Sequence, residues 1–243
     1  MSINVEKEIQ GLVDWLRSKV QEAGAKGLVF GLSGGVDSAL VGALAKKAFP
    51  DNALGIMMPI ESSEEDEKDA RALAEAIDLD IEKVDLTESY RALLKASFTS
   101  DNTLAKSNIK PRLRMTTLYY YGQDRGYLVC GCSNASEFYV GYYTKYGDSG
   151  ADILPIASYL KDEVYALAEK LNVPQVILDK QPTAGLFEGQ TDEREMGFSY
   201  EELNAYIREG KKGPNWEKIE RMHRTSSHKR AFAPKYERKD IDK

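Results

Sequence analysis

The chain has 243 residues, of which 42% are hydrophobic and 30% charged, and 33 Lys+Arg against 39 Asp+Glu give a formal charge of −6. This composition excludes a disordered or collagen-like chain, and no stretch approaches the ~18 uninterrupted apolar residues of a membrane-spanning helix. The opening MSINVEKEIQGLVDWL has no basic segment ahead of an apolar block, so no secretory signal is expected. Residues 4–24 place Ile9, Leu12, Val13, Leu16 and Val20 at helical spacing. GLVFGL (27–32) predicts a buried strand, Val36 to Phe49 a helix, and ALGIMMP (53–59) a second strand ended by Pro59. Residues 64–79 read as an amphipathic helix with acids in its first turns, where they complement the macrodipole, and DIEKVDL (80–86) as a third strand. Helices are expected near 87–98 and 108–123, a fourth strand at YLVCGC (127–132), a helix near 134–143, a short strand around Ile153–Ile156 and a helix at 160–171.

Strands alternating with helices predict an α/β fold: a doubly wound parallel sheet of about five strands with helices on both faces. Such sheets bind ligands beyond the carboxyl ends of their strands. From 173 to 215 the pattern loosens; Ser199 and Glu202 have the spacing of a capping box, KKGPNW (211–216) reads as a turn, and Pro214 is placed to open a last helix. There is no internal repeat, and the expectation is one domain over 1–243.

Cys130 and Cys132 are the only cysteines. Two apart on a strand they point to opposite faces, which suits a disulfide poorly, and they are too few for a four-cysteine zinc site. They read as reduced thiols of a cytoplasmic protein. Residues 221–243 carry eight Lys/Arg against three acids, while the rest of the chain is acidic. An acidic body repels a long phosphate backbone, so nucleic acid is not the expected partner and a small anion is.

GLSGGVDS (31–38) joins the first strand to the first long helix. Its glycines let a ligand approach the backbone, the helix start offers free N–H groups, and Ser33 and Ser38 add hydroxyls, a combination suited to pyrophosphate. No Lys follows the glycines, so this is not the loop of ordinary nucleoside triphosphatases. Asp37 stands where phosphates belong, and a bare carboxylate there calls for a bridging Mg²⁺. The competing reading is a glycine-containing turn capped by Ser33.

SGGVDS resembles the signature loop of the ATP pyrophosphatases, which split ATP between its α and β phosphates and adenylate a substrate; the loop alone leaves GMP synthetases, argininosuccinate synthetases and tRNA-thiolating enzymes open. GCSNASEFYVGYYTKYGDSGADILPIASYLKDEV (131–164), KQPTAGLFEGQTDEREMGFSYEEL (180–203) and SSHKR (226–230) resemble the NAD synthetases over most of the chain. The resemblance implies an adenine nucleotide alpha hydrolase-like, Rossmann-like fold. It also implies the ammonia-dependent reaction, in which deamido-NAD, ATP and NH₃ give NAD, AMP and pyrophosphate through an adenylate. Adenylation turns a carboxylate into a mixed anhydride with AMP as leaving group.

Carried over residue by residue, the resemblance implies ATP contacts at Gly31, Leu32, Ser33, Gly34, Gly35, Val36, Asp37, Ser38, Cys132, Lys161 and Thr183. It implies Mg²⁺ on Asp37 and Glu137, with Lys161 and Asp37 catalytic. Deamido-NAD contacts fall on Arg112, Lys145, Asp152, His228 and Lys229, so the basic segment 221–243 would fold over the anionic substrate. The bland alternatives are a capping box for Asn134 and Glu137, a solvated surface for Lys161 and a turn for Thr183. Cys132 departs from the Thr usual in this string, and a thiol donates weakly; a nucleotide-binding protein without turnover is the alternative this departure raises. Ammonia is mostly ammonium at pH 7, and Asp148 and Asp152 are its candidate acceptors. The family is dimeric, so a homodimer is expected, with the N-terminal helix and the helices at 108–123 and 134–143 as contact surfaces.

Overall fold

Leu28 and Phe30 alternate with Val29 along the first strand, and all three are fully buried. This is the pattern of a strand covered on both faces. The computed structural model describes residues 3–62, 64–183 and 191–236. Its elements are α1 (Val5–Glu22), β1 (Gly27–Gly31), α2 (Val36–Ala48), β2 (Ala53–Met57), α3 (Glu64–Ile77), β3 (Asp80–Lys83), α4 (Thr87–Ala96), α5 (Thr103–Ser107), α6 (Ile109–Arg125), β4 (Tyr127–Val129), α7 (Ala135–Val140), α8 (Lys161–Lys170), α9 (Gln175–Leu178), α10 (Asp192–Met196), α11 (Tyr200–Glu209) and α12 (Trp216–Thr225). A 3₁₀ turn, Ser227–Lys229, follows.

The sheet is parallel throughout, in the order β3-β2-β1-β4. Leu28 and Phe30 join the core formed with α1, α2, α3 and α8, whereas Val29, Leu54, Ile56 and Val129 face a second core that includes Tyr90 of α4 and Leu113 and Leu118 of α6. Helices therefore cover both faces, as expected. A third cluster, from Val140, Met196, Phe198, Tyr200, Leu203 and Ile219, packs α7, α10, α11 and α12 together.

The fifth strand expected at Ile153–Ile156 is reduced to one parallel bridge, Cys130 to Ile153. Asp152 turns its own carboxylate onto Val129 N at 2.8 Å, and Pro155 has no N–H to extend a ladder. The helix expected at 134–143 stops at Val140 because Gly141 adopts φ +69°, where a Cβ would lie 2.2 Å from that of Ser226. At Ser199 only half the capping box forms: Ser199 Oγ accepts from Glu202 N, but the Glu202 carboxylate accepts from Asn215 N and Nδ2. That bond draws Asn215 into the cap of α12, so Pro214 precedes the helix rather than opening it. Three short helices, α5, α9 and α10, have no counterpart in the sequence reading. Among the described residues no helix is long and apolar enough to cross a membrane.

Candidate active site

Strand order reverses between β1 and β4: β2 and β3 continue on one side, β4 starts the other. The crevice beyond that reversal is where an open parallel sheet takes ligands. The loop after β1 leads into α2, and the loop after β4 leads into α7. Gly34 is at φ +78°, and a Cβ there would lie 2.6 Å from Asp66 O of α3, so the loop is packed to the limit of glycine. Inside it, Ser38 Oγ donates to Gly35 O at 2.9 Å and accepts from Ser33 N at 3.2 Å. Ser38 is thus a brace of the loop, while Ser33 is exposed. Leu32 and Val36 are buried in the core, so only their main chain can meet a ligand.

Asp37, in the first turn of α2, and Glu137, in the first turn of α7, converge on one ammonium. Lys161 Nζ is 2.5 Å from Asp37 Oδ2 and 3.4 Å from Glu137 Oε1. The Lys161 side chain is only 4% exposed, so the solvated-lysine alternative fails. Its placement is set by the main chain: Lys161 N donates to Ser136 Oγ at 3.0 Å, which ties the start of α8 to the residue before Glu137. Asn134 completes the frame. Its Oδ1 accepts from Glu137 N at 3.0 Å and its Nδ2 donates to Asp37 Oδ1 at 2.8 Å, so the expected capping box forms and also anchors the second carboxylate.

Burial by itself disfavours charge on Lys161, but Asp37 and Glu137 outweigh it and hold the ammonium protonated. Burial, then the neighbouring Asp37, push Glu137 up to about 8. Two carboxylates touching one point, one of them reluctant to ionise, make a locus that favours added positive charge. Hard oxygen donors, one or two carboxylates with room for phosphate, are the set Mg²⁺ takes, so the residues fit that ion.

A cavity of about 480 Å³ runs from this centre along the sheet's carboxyl edge. It is lined by Gly31, Leu32, Ser33, Gly35, Val36, Asp37, Ser38, Cys132, Glu137, Lys161, Thr183 and Lys229 of the predicted set. Gly34 shapes the loop from behind. Cys132 Sγ lies 3.9 Å from Gly31 O, a weak contact between the β4 and β1 ends, and burial raises its thiol well above the usual range.

Arg112, Lys145, Asp152 and His228 lie outside that lining. Three of them form a chain of main-chain contacts: Arg112 Nη2 donates to Lys145 O at 3.1 Å and Lys145 Nζ to His228 O at 2.5 Å. Asp152 stands apart, accepting from Tyr119 Oη at 3.1 Å and from Val129 N. Lys229 Nζ donates to Gly141 O and Tyr143 O, both at 2.6 Å, and Arg230 reaches Phe138 O and Tyr139 O. The basic segment therefore packs onto the end of α7; its residues 237–243, and residues 184–190 of the 180–203 string, lie outside the described residues.

Sequence reasoning missed several lining residues. Lys180 bonds Asp66 and Asp69 of α3 at 2.8 and 2.6 Å. Asp192 is buried, accepts from Tyr200 Oη at 2.9 Å, and its N donates to Pro182 O at 3.0 Å. Arg114 donates to Met58 O at 3.0 Å, and burial lowers its pKa. Only a three-dimensional fold joins these positions, although the DE pair at 192–193 within the 180–203 string was a visible signal.

The profile of the family described as NAD synthase matches residues 8–233. The chain belongs to the NAD synthase family. The NH(3)-dependent NAD(+) synthetase of Finegoldia magna is 51% identical over 235 residues, covering 97% of this chain and 98% of that protein. That of Carboxydothermus hydrogenoformans is 48% identical, covering 95% and 97%. Among solved structures, NMN synthetase from Francisella tularensis superposes with a TM-score of 0.92 at 38% identity, covering 97% and 99% of the two chains. This NAD synthase family member thus matches its relatives almost end to end, as the long strings of the sequence implied.

Proposed function

We propose that the site works as follows. The chain is a C–N-bond-forming ligase that amidates deamido-NAD with ammonia at the expense of ATP, giving NAD, AMP and pyrophosphate. The observation that carries this reading is the convergence of Asp37, Glu137 and Lys161 at the β1/β4 reversal, beside the glycine loop 33–36.

The loop 33–36 and the start of α2 present main-chain N–H groups to the β and γ phosphates. Asp37 and Glu137 would hold Mg²⁺, which supplies charge neutralisation on the phosphates when bound. Lys161 holds a fixed positive charge where the departing pyrophosphate gains negative charge, and because Ser136 and Asn134 set its frame, little reorganisation is needed during reaction. Thr183, also in the cavity lining, contacts phosphate. Arg112, Lys145, Asp152, His228 and Lys229 bind the dinucleotide, with the basic segment over the substrate. Lys229 and Lys145 suit this because their ammonium groups are bonded to neutral carbonyls rather than to carboxylates.

The enzyme acts in the cytoplasm as a single-domain homodimer without nucleic-acid or membrane partners. The exposed Tyr120 of α6 offers an aromatic contact suited to a partner copy. The test is product analysis with deamido-NAD, MgATP and ammonium chloride: AMP and pyrophosphate should appear in equal amounts with NAD, whereas ADP and phosphate would overturn the assignment. A second reading, a mononucleotide acceptor, is favoured by the fit to the Francisella tularensis NMN synthetase. Comparing kcat/KM for deamido-NAD and for nicotinate mononucleotide decides between them.

A further inference from the structure

The run SSHKR (226–230) ends on Arg230, a residue to which no role has yet been given. Its Nη1 lies 2.8 Å from Ser226 Oγ, 2.9 Å from Tyr139 O and 3.2 Å from Phe138 O, and its Nη2 donates to His223 O. Phe138 and Tyr139 stand in the last turn of α7, and His223 in the last turn of α12. The final carbonyls of a helix have no partner within it and carry the negative end of its dipole. One guanidinium therefore caps two helix ends at once. A rigid, planar fork of donors suits that task, and the point charge of a lysine does not.

The cap decides where Lys229 goes. Lys229 N donates to Ser226 O at 2.8 Å and Arg230 N to Ser227 O at 3.1 Å, so a single tight turn leads from α12 to both residues. Ser226, at the start of that turn, is buried against Gly141, its Cβ 2.2 Å from where a Gly141 Cβ would lie. Arg230 pins the far end of the turn. Between the two, Lys229 Nζ reaches Gly141 O and Tyr143 O, just past the end of α7. Lys229 lines the central cavity, and Arg230 lies outside that lining. Arg230 thus meets a ligand through its neighbour.

The helices themselves have other ties. His223 Nδ1 bonds Tyr139 O at 2.8 Å, the two rings stack with centroids 4.0 Å apart, and Glu220 of α12 accepts from Tyr139 Oη at 3.1 Å. At the opposite end of α7, Ala135 N donates to Tyr159 O at 2.8 Å, and Ser136 Oγ to Asn204 Oδ1 at 2.6 Å. Loss of Arg230 therefore frees the 227–230 turn and leaves Glu137 and the phosphate end in place.

We infer that Arg230 is a positioning residue for the dinucleotide: it fixes the 227–230 turn so that the Lys229 ammonium stands at the cavity wall before substrate arrives. The inference rests on the reading of Lys229 as a deamido-NAD contact, and the experiment separates the two.

Dissociation constants for deamido-NAD and for MgATP are measured by calorimetry on the wild type, Lys229→Ala, Arg230→Ala, Arg230→Lys, and each Arg230 variant combined with Lys229→Ala. Arg230→Ala should weaken deamido-NAD about three- to tenfold and MgATP less than about twofold; on the Lys229→Ala background it should add less than about twofold, because residues acting through one contact do not add. Guanidinium chloride below denaturing concentration should restore deamido-NAD binding to Arg230→Ala, and equal sodium chloride should not. Arg230→Lys keeps the charge without the fork, should show the same selective and non-additive loss, and carries the test if the alanine variant does not fold. Full additivity with Lys229→Ala, or an equal loss for MgATP, overturns the inference and leaves Arg230 a structural cap. If Lys229→Ala binds deamido-NAD as the wild type does, the reading of Lys229 fails, and the inference with it.

Discussion

The phosphate end of the cavity and the basic cluster beside it hold their charged groups in opposite ways. At the phosphate end, side chains bind side chains: Asp37 joins Asn134 and Lys161 across 97 and 124 residues of sequence, so each charge meets its counter-charge. At the basic end, side chains bind main chain: Lys229, Arg230, Lys145 and Arg112 all donate to backbone carbonyls. A carbonyl fixes a cation without neutralising it. The first arrangement preorganises a reaction centre, and the second holds a positive potential that draws an anionic dinucleotide.

The largest break in this contrast is Asp37→Asn. It takes from Lys161 its nearest carboxylate, and kcat should fall by about 10²–10³-fold or more while far-ultraviolet circular dichroism is unchanged. Near-wild-type turnover would remove Asp37 from the centre. Lys229→Ala tests the other end. The KM for deamido-NAD should rise about tenfold, the value of a charge-assisted hydrogen bond, with the KM for ATP little changed; a rise confined to ATP would place the basic segment elsewhere.

Two smaller effects sharpen the frame between the ends. Gly34→Ala forces a side chain into positive φ against Asp66 O, and thermal unfolding should report about 1–3 kcal/mol of lost stability. Cys132→Thr should change ATP affinity by less than about 1 kcal/mol, because the thiol makes only a weak contact with Gly31 O. A large gain in affinity would show that the side chain itself reaches the nucleotide.

These two ends were not equally legible in the sequence. Local signals marked the phosphate end: the strand-loop-helix placement of GLSGGVDS and the Asn134–Glu137 spacing each have a physical reading within a few residues. The sheet could be read for the same reason, since Leu28 and Phe30 against Val29 already report two covered faces. The fifth strand was misjudged because an apolar run at 153–156 looks the same whether or not Asp152 takes the ladder's donor. Lys180, Asp192 and Tyr200 escaped because their partners lie in other elements, up to 114 residues away for Lys180. For Lys161 a solvated surface was the alternative; in the fold, Asp37 and Glu137 hold it buried.

The most direct test of the central claim, that Asp37, Glu137 and Lys161 are set to release pyrophosphate from ATP as an adenylate forms, is isotope exchange in the absence of ammonia. Labelled pyrophosphate should enter ATP only when deamido-NAD and Mg²⁺ are present, and the exchange should vanish in Asp37→Asn. Exchange that proceeds without deamido-NAD, or survives the loss of Asp37, would contradict the account.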